Sequence, residues 1–117
     1  MAMKETDFAG AVPVDGYGPG FFRVGGRLHH GPVIVTAAGP RPWGGMDDLA
    51  ALEALGGTVD VLFLGMGAEP ARPPAALSQA LAAAGLAVEP TATPTAARSY
   101  NVTLSEGRRV ACALLPV

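Results

Sequence analysis

The chain has 117 residues and one cysteine, which suits a single domain, excludes an internal disulfide and fits a reducing compartment. Half of the residues are hydrophobic, enough to bury a core, and a formal net charge of −2 leaves no electrostatic footprint for a nucleic acid. No apolar run approaches the roughly 20 residues of a membrane span, and Met1 to Gly10 lacks the basic-then-apolar pattern of a signal peptide, so a cytoplasmic protein without membrane insertion is expected.

Met1 to Gly20 is small, polar and glycine-rich, with Gly16, Gly18 and Gly20 around Tyr17. It reads as a loose arm; residues 1–14 are expected to be flexible and residues 15–117 to form one domain. A phosphate-gripping loop would need a strand before it and a helix after it, and the pattern has neither.

Phe21–Val24 and Arg27–His30 flank Gly25-Gly26, a two-residue link that predicts a β-hairpin, because both turn residues accept positive φ. Pro32 opens a third strand, Val33–Thr36. His29 and His30 are neighbours on a strand and point to opposite faces. With no cysteine or carboxylate pair nearby, they predict no metal site.

Ala37 to Gly45 reads as a loop around Trp43. A lone loop tryptophan most simply lids the core with its N–H wetted; the alternative is a pocket or partner surface. Asp47 or Asp48 should cap a helix carrying Leu49, Leu52 and Leu55, stopped by Gly56-Gly57.

Val59–Leu64 is apolar except for Asp60 and reads as a central strand. Gly65-Met66-Gly67 lies at its carboxyl end, where open α/β sheets bind ligands. The third glycine of a dinucleotide fingerprint would fall at Pro70, so that motif fails. Pro73 and Pro74 deprive the next helix of N–H donors, though Arg72 could hold an anion. The simpler reading is a tight strand exit where only glycine fits.

Pro74 to Ala84 places Leu77, Leu81 and Ala84 on one helical face and ends at Gly85. Leu86–Glu89 is a short strand stopped by Pro90. Thr93 is then the expected N-cap of a last helix, with Pro94 in its first position. Ala97, Tyr100 and Leu104 form its apolar stripe, Gly107 ends it, and Arg108 and Arg109 meet the negative end of its dipole. Val110–Leu115 is a second fully apolar strand, expected beside Val59–Leu64, with Cys112 buried and inert. Tyr100 should face the sheet and need a hydrogen-bond partner. Asn101 should reach loop backbone at the sheet margin, such as the Gly65–Gly67 turn. Neither Ser99 nor Ser105 has a credible histidine–aspartate set, so no catalytic residue is assigned. Asn101-Val102-Thr103 matches a glycosylation sequon by chance.

Helices alternating with apolar strands predict an α/β three-layer sandwich with helices on both faces, made mixed by the initial hairpin. Tyr17-Gly18, Gly20-Phe21-Phe22-Arg23, Gly31, Trp43 and Leu64-Gly65-Met66-Gly67 resemble the opening and central strand exit of the Mth-domain family of unknown function. Ala97-Arg98-Ser99-Tyr100-Asn101 and Glu106-Gly107-Arg108-Arg109-Val110-Ala111 resemble its most recognisable segment. That family includes the respiratory complex I assembly factor three proteins and the adipogenesis-associated Mth-domain proteins. The resemblance covers about residues 15–117 and suggests a bacterial member. It implies a mixed sheet of roughly five strands and brings no established catalytic residues; no cofactor and no metal are expected.

Two functions follow. The first is a non-enzymatic interaction or assembly protein with a protein partner, such as a subunit of a membrane complex, using Trp43 and the Gly65–Arg72 loop. The second is a small-molecule or anion-binding domain, with enzymatic activity as an option, using Gly65, Gly67, Arg72, Tyr100 and Asn101.

Overall fold

A computed structural model describes residues 8–117. Two sheets and three helices follow in the order β1 (Val14–Gly18), β2 (Phe21–Val24), β3 (Arg27–His30), β4 (Val33–Thr36), β5 (Gly39–Pro42), α1 (Leu49–Glu53), β6 (Val61–Gly65), α2 (Ala75–Ala83), β7 (Ala87–Thr91), α3 (Thr93–Ser105) and β8 (Val110–Leu114). The smaller sheet is an antiparallel meander, β1-β2-β3. The larger is mixed, ordered β5-β4-β8-β6-β7, with β6 parallel to β8 and β7, and β4 antiparallel to β8 and β5.

The two apolar runs are adjacent inner strands, as their composition predicts. They pair from Val61 opposite Val110 to Gly65 opposite Leu114. Alternation then divides the core. Ile34, Leu62, Leu64, Ala111 and Ala113 face α1 and α2, whose Leu52, Leu77 and Leu81 are buried there. Val33, Val35, Val61, Phe63, Cys112 and Leu114 face α3 and the meander, which contribute Tyr100, Leu104, Phe22 and Val24. Helices thus cover both faces, and the meander completes the α3 layer.

Several local readings change. Residues 14–18, read as part of a loose arm, form β1, and the expected hairpin is therefore a three-stranded meander. Phe8, Ala11 and Val12 lie partly buried against the core; the first seven residues of the expected arm lie outside the described residues. Residues 39–42, read as loop, form β5, and β7 continues through Pro90. The reason lies in edge position. Trp43 N–H donates to the Pro32 carbonyl at 3.2 Å, which fixes the phase of the β4–β5 ladder. Pro40 and Pro42 then occupy positions whose backbone points away from β4, where a missing N–H costs no ladder bond. Pro90 stands likewise on the outer side of β7, since Glu89 and Thr91 are the inward residues in phase with the Met66 N–H bond to the Thr91 carbonyl.

Burial also fixes two ionisations. Burial drives the Cys112 thiol well above its ordinary 9.0, opposed only by a backbone hydrogen bond from Val35. Burial, then the neighbouring Cys112, drives the Tyr100 phenol above 10.0. Both acids stay neutral in the folded chain at pH values where the unfolded chain ionises them. Their stabilisation is complete below the unfolded values and is lost as pH rises through the folded ones. Urea midpoints should therefore fall steadily above about pH 9, and Cys112→Ala or Tyr100→Phe should flatten that alkaline limb. The native thiol should react with a thiol reagent only at the unfolding rate. Fast native labelling would contradict this burial.

Candidate functional site

Three polar side chains of α3 tie it to backbone elsewhere in the chain, Thr93 at the strand exit and Tyr100 and Asn101 beside β1. The structure starts α3 one residue earlier than the Thr-Pro signature predicts. Ala92 is the N-cap, and Thr93 makes no cap bond. Its side chain turns inward instead, with no exposed surface. The hydroxyl oxygen accepts from Gly67 N–H at 2.9 Å, and the hydroxyl donates to the Leu115 carbonyl at 2.7 Å. Thr93 N–H donates to the Gly67 carbonyl at 2.8 Å, and Leu115 N–H to the Gly65 carbonyl at 2.9 Å. One threonine therefore ties the end of β6, the start of α3 and the segment after β8. Gly67 takes a φ of +103°, which glycine tolerates best.

Tyr100 and Asn101 work at the other margin of the helix. Tyr100 is fully buried, and its hydroxyl donates to the Val12 carbonyl at 2.8 Å. Asn101 does not reach the Gly65–Gly67 turn. Its carboxamide nitrogen donates to the Val14 carbonyl at 2.8 Å, and its oxygen accepts from Val14 N–H at 2.9 Å. This amide takes the place of a neighbouring strand along the outer edge of β1. The sequence reading placed Asn101 at a margin correctly and chose the wrong backbone, because β1 itself was not foreseen.

The remaining residues do not converge. Trp43 is buried on the α1/α2 face, and its indole N–H donates to the Asp48 carbonyl at 3.2 Å rather than to solvent. Met66 packs partly buried against the same face. Arg72 is exposed at a shallow groove of about 600 Å³ between α2 and β7, walled by Pro73, Ser78, Leu86, Val88 and Pro90. Neither that groove nor the clefts beside α3 is lined by Gly65, Met66 or Gly67. Arg109 leaves the helix dipole and pairs with the Asp60 carboxylate at 2.6 Å. That hydrogen bond holds Asp60 below the usual carboxylate range; a pair this exposed contributes little to stability.

What sequence reasoning missed is the outer side of α3. A cleft of about 440 Å³ is lined by Phe63, Arg98, Ser99, Val102 and Thr103. A second of about 290 Å³ lies between α3 and β1, with Asp15, Tyr17, Pro94 and Asn101. Val102 is 59% exposed and Tyr17 44%. The available signal was Val102 itself, an apolar residue off the Ala97-Tyr100-Leu104 stripe. Among the described residues no cluster of histidine, cysteine or carboxylate groups could hold a metal, and no helix is long and apolar enough to cross a membrane.

A family model described as a protein of unknown function (DUF498/DUF598) matches residues 14–115. An uncharacterised protein of Rhodobacter capsulatus is 56% identical over 117 residues, covering all of this chain and 94% of that protein. NADH dehydrogenase [ubiquinone] 1 alpha subcomplex assembly factor 3 of Danio rerio is 31% identical over 121 residues, covering 97% of this chain and 69% of its own length. The solution structure of a Mth938-like domain from Bordetella pertussis superposes with a TM-score of 0.79 at 24% identity, covering 99% of this chain and 92% of that one, a likeness of fold.

Proposed function

The chain belongs to the DUF498/DUF598 family, and on that premise we propose that it is a non-enzymatic interaction protein that assists assembly of a membrane-bound respiratory complex. The observation that carries this reading is the likeness to assembly factor 3, which runs through 97% of the chain. The chemistry of α3 agrees with it. Thr93, Tyr100 and Asn101 all give their hydrogen bonds to the chain's own backbone. What α3 offers outward is Val102, Arg98 and the neighbouring Tyr17, a mixed apolar and charged surface of the kind that contacts proteins. The ligand-binding alternative has no such support at the strand exit, which Thr93 and Leu115 close from inside.

The test is genetic. Deleting the gene from its own cells should lower the amount of fully assembled NADH dehydrogenase, seen as lost activity in native gels of membranes, with free subunits accumulating. A wild-type copy should restore it. Unchanged assembly and unchanged NADH oxidation in the deletion strain would overturn the proposal.

A further inference from the structure

We propose that the free edge of β3 is a docking site for an extended segment of a partner protein whose side chains alternate between acidic and apolar. This rests on the interaction reading above and adds the surface and the partner's chemistry.

In an antiparallel ladder, facing residues alternate between pairs that exchange both hydrogen bonds and pairs that exchange none. Gly31 N–H donates to the Gly20 carbonyl at 3.0 Å, which fixes the phase. Phe22–His29 and Val24–Arg27 are therefore bonded pairs, while Leu28 and His30 aim their N–H and C=O groups away from β2. The other sheet edges are interrupted. Prolines interrupt β5 and β7, and Asn101 occupies Val14 on β1. Among the described residues the edge of β3 carries no proline and meets no side-chain cap, so it keeps two donors and two acceptors for an added strand.

The side chains then select the occupant. Leu28 is 49% exposed on the outer face, beside Arg23 and next to the Phe21–His30 ring pair, whose centroids lie 6.3 Å apart. Arg27 and His29 lie on the inner face, in register with Val24 and Phe22. The His29 Nε2 atom is buried there without a hydrogen-bond partner. No acidic residue occurs in β2, β3 or their turn. Asp15 on β1 accepts from Gly26 N–H, in that turn, at 2.9 Å. A second copy pairing through β3 would bring arginines of the two copies together with no carboxylate between them, which disfavours it. A segment placing carboxylates toward Arg27 and His29, and apolar side chains beside Leu28, complements both faces in one register.

The probe is an end-capped octapeptide alternating glutamate with valine, titrated into the isotope-labelled full chain and followed by amide NMR shifts and hydrogen exchange. Leu28 and His30 amides should shift and gain protection. Leu28→Pro, which removes an outward N–H, should keep the folded spectrum and lose binding. Arg27→Glu should weaken binding by about tenfold or more and shift the preference to a lysine–valine peptide. The proposal is overturned by absence of saturable binding or by equal binding of the lysine peptide. Equal binding of a peptide with glutamates and valines in separate blocks, undiminished binding by folded Leu28→Pro, shifts at the Arg72 groove or Val102 cleft, or dimerisation through β3 would overturn it too. In cells, an assembly defect on deletion that Leu28→Pro fully rescues removes the docking site and leaves the assembly reading standing. No defect on deletion removes the assembly reading itself.

Discussion

Gly65→Ala is expected to destabilise the chain by roughly 3 kcal/mol or more, the upper range for a single overpacking methyl. A Cβ on Gly65 would stand 2.7 Å from Thr93 Oγ1, 2.9 Å from Thr93 Cα and 3.0 Å from Leu114 Cδ2. Two of those atoms belong to the first residue of α3, and one is backbone. No rotamer change relieves the clash, so α3 must move off the sheet. That movement also strains the Gly67 and Leu115 bonds of the Thr93 hydroxyl. Two comparisons isolate the cause. Gly67→Ala meets nothing closer than the Pro116 carbonyl oxygen at 3.9 Å and must only hold a φ of +103°, a conformational cost of about 1–3 kcal/mol. Thr93→Val keeps the shape and removes the hydroxyl, leaving the Gly67 N–H and Leu115 carbonyl unpaired at about 1–3 kcal/mol each; Thr93→Ser keeps both bonds and should cost less. Urea unfolding of the four variants gives the ranking. A Gly65→Ala protein as stable as wild type would show that α3 is not held this closely to β6.

The strand exit shows what was legible in the sequence and what was not. The runs Val59–Leu64 and Val110–Leu115 announced the inner strands Val61–Gly65 and Val110–Leu114, because a run apolar on both faces has few other homes. The stripe of Ala97, Tyr100 and Leu104 likewise fixed which side of α3 is buried. β1 and β5 were not legible. Gly16, Gly18, Pro40 and Pro42 have poor strand propensity, and these segments are strands because of what lies beside them. Thr93 shows the same limit at one residue. Thr-Pro before an apolar stripe reads as a helix cap, but a nearby unpaired N–H on Gly67 and carbonyl on Leu115 take the hydroxyl instead. Trp43 and Arg72 carried binding signals one at a time, and only the fold shows them in different places, one buried on the α1/α2 face and one at the α2–β7 groove.

Asn101→Ala should cost about 2 kcal/mol, the sum for two partly buried amide–backbone bonds at roughly 1 kcal/mol each, and the loss should be felt first in the meander. Val14 would keep its side chain in the core, but the N–H and carbonyl that Asn101 now satisfies would turn to water. β1 has a register irregularity between Val14 and Gly16, so its start is held by Asn101 and by the Tyr100 bond to the preceding Val12 more than by β2. Amide exchange at Val14 should therefore accelerate more than exchange in β6 or β8. Asn101→Asp sharpens the test. The carboxylate can still accept from Val14 N–H but cannot donate to the Val14 carbonyl, whereas the protonated acid does both. The neutral form is favoured in the folded state, which raises the folded pKa above the unfolded value of about 3.9. Stability of Asn101→Asp relative to wild type should be restored below that value and lost as pH rises through the folded one. A flat difference between about pH 3 and pH 7 would mean that the donated bond carries no weight. Melting and partner binding must be measured on the same Asn101→Ala protein: if both weaken in proportion, Asn101 is a clamp on β1. Unchanged melting with lost binding would make it a recognition residue in the cleft it shares with Tyr17 and Arg98.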